Sequence, residues 1–109
     1  MKISVKKDAL LKALQKICNI IGTRTTLPVL ANVLIETNED GKLTFTTTDL
    51  ELRISTRIEA EVTEPGTTTI PAKRFLGLVA KFKGDTVVIE TNENHHSKIT
   101  CGTAEFMLL

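Results

Sequence analysis

Leu10, Leu14, Ile17 and Ile21 recur at steps of four, three and four residues, flanked by Leu11 and Cys18, and this spacing predicts an amphipathic helix over residues 9 to 21. At about 100° per residue, Lys12, Lys16 and Asn19 fall within about 60° of one another on the opposite face. Asp8 stands where an N-cap carboxylate would accept the free amides of the first turn, and Gly22 offers a stop.

Beyond Pro28 the pattern changes period. Residues 29 to 37 read as a strand, Glu39-Asp40-Gly41 as a hairpin turn and residues 43 to 48 as the returning strand. From Leu50 the alternation is sustained, with Leu52, Ile54, Thr56, Ile58, Ala60 and Val62 on one face and Glu51, Arg53, Ser55, Arg57, Glu59 and Glu61 on the other. This predicts one long, half-buried strand stopped by Glu64-Pro65-Gly66. Leu43 and Phe45 are odd-numbered and the later apolar set is even, so the register must change, most simply through a turn near Thr48-Asp49. A short Thr-rich strand at 67 to 70 leads to Pro71, at the first position of a second helix with Phe75, Leu78, Val79 and Phe82 as its apolar face and Gly84-Asp85 as its close. Strands at 86 to 91, 97 to 101 and 104 to 109 complete the chain, with turns at 92 to 96 and 102 to 103.

Laying residue 5 over residue 70, an offset of 65, pairs Val5 with Ile70, Leu10 with Phe75, Leu11 with Leu76, Leu14 with Val79, Lys16 with Lys81 and Ile17 with Phe82. Each copy then reads strand, helix and three strands. The implied fold class is α+β: two such repeats building antiparallel sheets with both helices packed on one side.

At 109 residues and 41% hydrophobic, the chain has the length and apolar content of one packed domain, and no apolar run approaches the roughly 18 residues of a membrane span. The Met1-Lys2-Ile3-Ser4-Val5-Lys6-Lys7 start lacks the pattern of a signal peptide, which leads us to expect a cytoplasmic protein without membrane contact. Cys18 and Cys101, in apolar contexts far apart, read as reduced core residues. His95-His96 sit in a polar turn with no third ligand placed by the sequence, and no nucleophile motif or Gly-rich phosphate loop is present; we expect no metal, no cofactor and no catalysis.

The net charge of +1 is uninformative until it is distributed. Residues 6 to 24 hold five basic residues and one acid, residues 71 to 84 hold four basic residues and no acid, and the remainder holds five basic residues against twelve acids. Helices are basic and strands acidic. A basic helical face suits a polyanion, and Lys16 and Lys81, which share one slot of the repeat, have no Glu at i,i+4 to neutralise them. With no Trp or Tyr and only four Phe, there is no platform for base stacking, so the expected partner is a nucleic acid bound through its backbone phosphates, with little sequence information. The competing reading is a protein-interaction domain whose basic face meets an acidic partner.

The most specific residues are Gly22-Thr23-Arg24-Thr25-Thr26-Leu27-Pro28-Val29-Leu30-Ala31-Asn32, Thr48-Asp49-Leu50-Glu51, Pro65-Gly66 and Ile70-Pro71-Ala72-Lys73-Arg74-Phe75. Together with Met1-Lys2 and Leu10-Leu11-Lys12, they resemble the first domain of the bacterial DNA polymerase III β subunit, the sliding-clamp family, across essentially the whole chain. The resemblance implies that residues 1 to 109 form the N-terminal clamp domain, the first of three, ending inside its last strand. In the family, two three-domain chains close head to tail into a ring around duplex DNA, helices inward. The ring tethers the replicative polymerase; clamp loader and polymerase bind through domains outside this chain. Residue by residue, the resemblance implies DNA contacts at Arg24, Lys12 and Lys73, to which the polar-face argument adds Lys16 and Lys81. It also implies a subunit interface at Arg74, Leu78, Phe82, Phe106 and Leu108.

Overall fold

The computed structural model describes residues 1–24, 32–48, 53–94 and 96–108. The elements run β1 (Lys2–Lys6), α1 (Lys7–Arg24), β2 (Asn32–Thr37), β3 (Lys42–Thr48), β4 (Arg53–Glu59), β5 (Glu61–Glu64), β6 (Thr67–Pro71), α2 (Ala72–Lys81), β7 (Thr86–Thr91), β8 (Ser97–Cys101) and β9 (Ala104–Leu108). The two expected strand-helix-three-strand units are present, with β5 as an additional strand between them.

The units are interwoven. One antiparallel sheet has the order β5-β1-β7-β8-β9 and the other β4-β3-β2-β6, so the opening strand of each unit pairs with the strands of the other. The exchange is symmetric in register: Val5 lies opposite Val87 and Lys6 opposite Thr86, as Ile70 lies opposite Val33 and Pro71 opposite Asn32. It is also symmetric in loop bonds. The Thr37 N–H donates to the Gly66 carbonyl at 3.1 Å and the Thr91 N–H to the Met1 carbonyl at 2.8 Å; the Asn38 and Asn92 N–H groups reach the Lys42 and His96 carbonyls in the same way. A further sequence signal of the repeat lies in these strands. Val33, Ile35, Glu36 and Thr37 recur as Val87, Ile89, Glu90 and Thr91, at an offset of 54 rather than 65 because α2, at 10 residues, is shorter than α1, at 18, and the connection that follows it is three residues shorter.

Both sheets and both helices enclose one core. Ile3, Val5, Val33, Ile35, Leu43, Phe45, Ile70, Val87, Ile89 and Ile99 from the strands meet Leu10, Leu14, Ile17, Phe75 and Val79 from the helices, each at most 2% exposed. Burial on this scale, about 1.5–3 kcal/mol for each large side chain, is what holds the helices on the sheets. The outer faces stay wet, and the five-stranded sheet carries there a row of alternating charge, Glu64, Lys2, Glu90 and Lys98 on neighbouring strands.

The structure corrects several boundaries. The long strand expected to run through residue 62 is two strands in different sheets: β4 pairs with β3, and β5 pairs with β1. The break falls at Ala60, whose N–H donates to the Gly41 carbonyl at 3.2 Å. Alternation survives the break because both strands keep the same apolar side toward the core, and it carries no information about which strand each one pairs with. Helix α1 passes through Gly22 to Arg24, since glycine in a helix costs only about 1 kcal/mol against alanine and does not compel a stop. Asp8 lies inside the first turn rather than at the cap, where its charge still complements the helix dipole. Pro71 is the N-cap of α2, one residue before the position expected, and α2 ends at Lys81 ahead of Gly84-Asp85. The start of the 29-to-37 strand, the turn near Thr48-Asp49, the Leu50-to-Leu52 alternation, and the side chains of Ile21, His95 and Leu109 lie outside the described residues.

Candidate nucleic-acid interface and subunit edge

Helices α1 and α2 pack side by side in opposite directions. Lys7, at the start of α1, reaches the Phe82 carbonyl at the end of α2, while Lys73, at the start of α2, lies near enough to Cys18 in the second half of α1 to act on its thiol. The Cys18 thiol is held above its ordinary range by burial, offset in part by the Lys73 charge. The apolar stripes that drive this packing leave Lys12, Gln15, Lys16 and Asn19 on α1, and Lys73, Arg74 and Lys81 on α2, exposed. The structure thus brings four of the five expected DNA contacts, Lys12, Lys16, Lys73 and Lys81, onto a single helix pair. Arg24 is the last residue of α1, and its side chain lies outside the described residues.

The electrostatics of the two surfaces differ. On the sheets, three of the six strand cations are matched: Lys2 Nζ lies 3.8 Å from Glu90, Lys98 Nζ 3.7 Å from Glu105, and Arg57 donates to Asp40 at 2.6 Å, whereas Lys6, Lys42 and Arg53 have no carboxylate partner among the described residues. Among the described residues, none of Lys12, Lys16, Lys73, Arg74 and Lys81 has a carboxylate partner. The first turn of α2 goes further. It carries Lys73 and Arg74 and no acid, and Pro71 supplies no side-chain cap, so two cations sit at the positive end of the helix dipole. That placement costs a few tenths of a kcal/mol in an isolated domain, and an anion lying on the helix pair relieves it.

The expected subunit interface divides into core and surface. Phe82 is buried and Leu78 half-buried, both on the core side of α2, and Arg74 is exposed one turn before Leu78. Phe106, on β9, is 40% exposed and lies opposite Ile99; its ring meets that of Phe82 at a centroid separation of 5.7 Å and a tilt of 42°. Leu108 is half-buried against the core. Strand β9 pairs on one side only, with β8, and so presents an open edge. Sequence reasoning missed Met107, 53% exposed opposite Lys98 on the outer face of the same strand. Its signal was there, because three successive apolar residues, Phe106-Met107-Leu108, put one of them in water whichever face is buried.

Cys18 and Cys101 are free and buried. The turn at 92 to 96 is built on Asn92, whose Oδ1 accepts the N–H groups of Asn94 and His96 at 2.9 and 3.0 Å. No helix among the described residues is long and apolar enough to cross a membrane.

The fold of two interwoven units around a shared core, with the helix pair on one side, matches the domain fold of DNA polymerase sliding clamps. The Bacillus subtilis sliding clamp matches it with a TM-score of 0.87 at 30% identity, covering 99% of this chain and 30% of that one. The DNA polymerase III subunit beta of Pseudomonas aeruginosa matches with a TM-score of 0.85 at 33% identity, covering 99% and 29%. The chain belongs to the family of the DNA polymerase III beta subunit, N-terminal domain, whose model matches residues 1–109. Among curated relatives, the beta sliding clamp of Haemophilus influenzae is 38% identical over 109 residues, 99% of this chain and 30% of that protein. The beta sliding clamp of Vibrio harveyi is 31% identical, covering 99% of this chain and 74% of that sequence. The chain spans about 30% of the length of the H. influenzae relative.

Proposed function

We propose that this chain is the N-terminal domain of a sliding clamp: a non-catalytic, cytoplasmic processivity factor that encircles duplex DNA as a head-to-tail dimeric ring and tethers the replicative polymerase. The observation that carries the reading is the helix pair itself: Lys12, Lys16, Lys73, Arg74 and Lys81 are all exposed there and, among the described residues, none has a carboxylate partner, whereas Lys2, Arg57 and Lys98 on the sheets each have one. A charged lining that forms no fixed ion pairs attracts phosphate through a diffuse, screened field and holds no register, so the ring slides while closure keeps it on the DNA. In this reading Lys12, Lys16, Lys73, Lys81 and Arg24 face the DNA. Arg74, Leu78, Phe82, Phe106 and Leu108 form this domain's side of the ring joint, with β9 as the edge that receives the other subunit. Clamp loader and polymerase engage domains beyond this chain.

The test loads the complete gene product onto nicked circular DNA, washes at high salt and then linearises the circle. Retention through the wash and release on cutting is the expected result. Release by salt alone from the intact circle rejects topological linkage and leaves ordinary electrostatic binding. No retention on DNA of any sequence, together with salt-sensitive binding to an acidic protein, selects the protein-interaction alternative.

A further inference from the structure

Lys7 differs from the other lysines of the helical segments. It is half-buried at the first position of α1, and both its donors go to the chain leaving α2: its N–H to the Asp85 carbonyl at 2.8 Å, and its Nζ to the Phe82 carbonyl. Phe82 is the C-cap of α2. Its N–H donates to the Val79 carbonyl at 3.2 Å and its backbone has already turned extended. A helix C-terminus is the negative end of the dipole, and a lysine is a favoured partner for its last carbonyls. Phe82 is also the residue whose ring supports Phe106 on the open edge strand. The ammonium of Lys7 is therefore one residue removed, through Phe82, from β9.

The repeat supplies an internal control. At the offset of 65, Lys7 corresponds to Ala72, which is buried and has no side-chain donor. The capping ammonium therefore exists at only one of two related positions, the one beside β9.

We propose that Lys7 is a positioning residue for the ring joint: it pins the end of α2, and with it the Phe82 ring on which Phe106 rests, and takes no part in DNA contact. The inference rests on the reading of β9 as the joint. Its test uses four variants of the complete gene product, Lys7→Met, Lys7→Arg, Lys12→Met and Phe106→Ser, followed by sedimentation equilibrium and by titration of a short linear duplex as a function of salt. For Lys7→Met, we expect the subunit dissociation constant to rise about two- to five-fold, the range a dipole-level contact supplies, with the salt slope of DNA binding unchanged. Lys7→Arg restores association. Lys12→Met lowers the salt slope and leaves association alone.

Wild-type association in Lys7→Met, or a drop in its salt slope like that of Lys12→Met, overturns the assignment. Wild-type association in Phe106→Ser rejects the joint itself, whereas weakened association in Phe106→Ser with none in Lys7→Met rejects only the role of Lys7. A measurement without substitution covers a variant that does not fold. In the wild-type protein, brief amine acetylation read by mass spectrometry should modify Lys7 several-fold more slowly than Lys12 or Lys16, and equal rates overturn the proposal.

Discussion

The Phe82 and Phe106 rings lie 5.7 Å apart at a tilt of 42°, one buried under α2 and the other 40% exposed on the edge strand. The pair therefore separates two roles that one apolar residue usually combines. Phe82→Ala opens a cavity and should cost the domain about 3–5 kcal/mol in urea unfolding. Phe106→Ala removes a half-solvated ring and should cost less than about 1 kcal/mol. Both should weaken subunit association in sedimentation. A Phe106→Ala loss of stability as large as that of Phe82→Ala would mean that Phe106 belongs to the core and not to the joint.

The lysines of the helix pair should act independently of one another and of sequence. Each of Lys12→Met, Lys16→Met, Lys73→Met and Lys81→Met should lower the slope of log affinity against log salt by up to about 0.9 on duplex DNA, the value for one neutralised phosphate. Lys98→Met on the sheet, where Glu105 lies 3.7 Å away, should leave the slope unchanged. Fluorescence titration of the complete gene product on a short duplex at several salt concentrations measures both.

Gly84 and Cys101 should be strongly coupled. A Cβ on Gly84 would fall 2.8 Å from the Cys101 Sγ, closer than side-chain atoms approach, and Cys101 is buried. Gly84→Ala should destabilise the domain, and Cys101→Ala should relieve part of that cost. A double-mutant cycle in urea should give a coupling energy of about 0.5–3 kcal/mol. Additivity would show that the loop shifts freely away from β8.

Burial holds the Cys18 thiol above its ordinary range, so the folded state favours the neutral form. The associated stability is fully present below the ordinary value of 9.0 and is lost as the pH rises from there through the raised folded value. Cys18→Ala should flatten the decline of Tm with pH above about 9, and an unchanged decline would assign it to other groups.

The local content of the fold was legible in the sequence because period is a property of neighbouring residues. The steps between Leu10, Leu14 and Ile17 placed α1, and three turn signals placed β7, β8 and β9. The charge division was equally legible, since a basic helix and an acidic strand are compositions before they are surfaces. Tertiary structure alone decided which elements meet. Alternation from Ile54 to Val62 is the same whether a strand continues or steps to another sheet at Ala60. Nothing in Val5 or Ile70 announces that each pairs with the other repeat's strand. The antiparallel seating of α2 on α1 turns Lys7, by sequence one more helix lysine, into a cap on Phe82. Periodicity reports the direction a side chain faces, whereas partnership depends on contacts between residues far apart in the chain, which exist only once the whole core has closed.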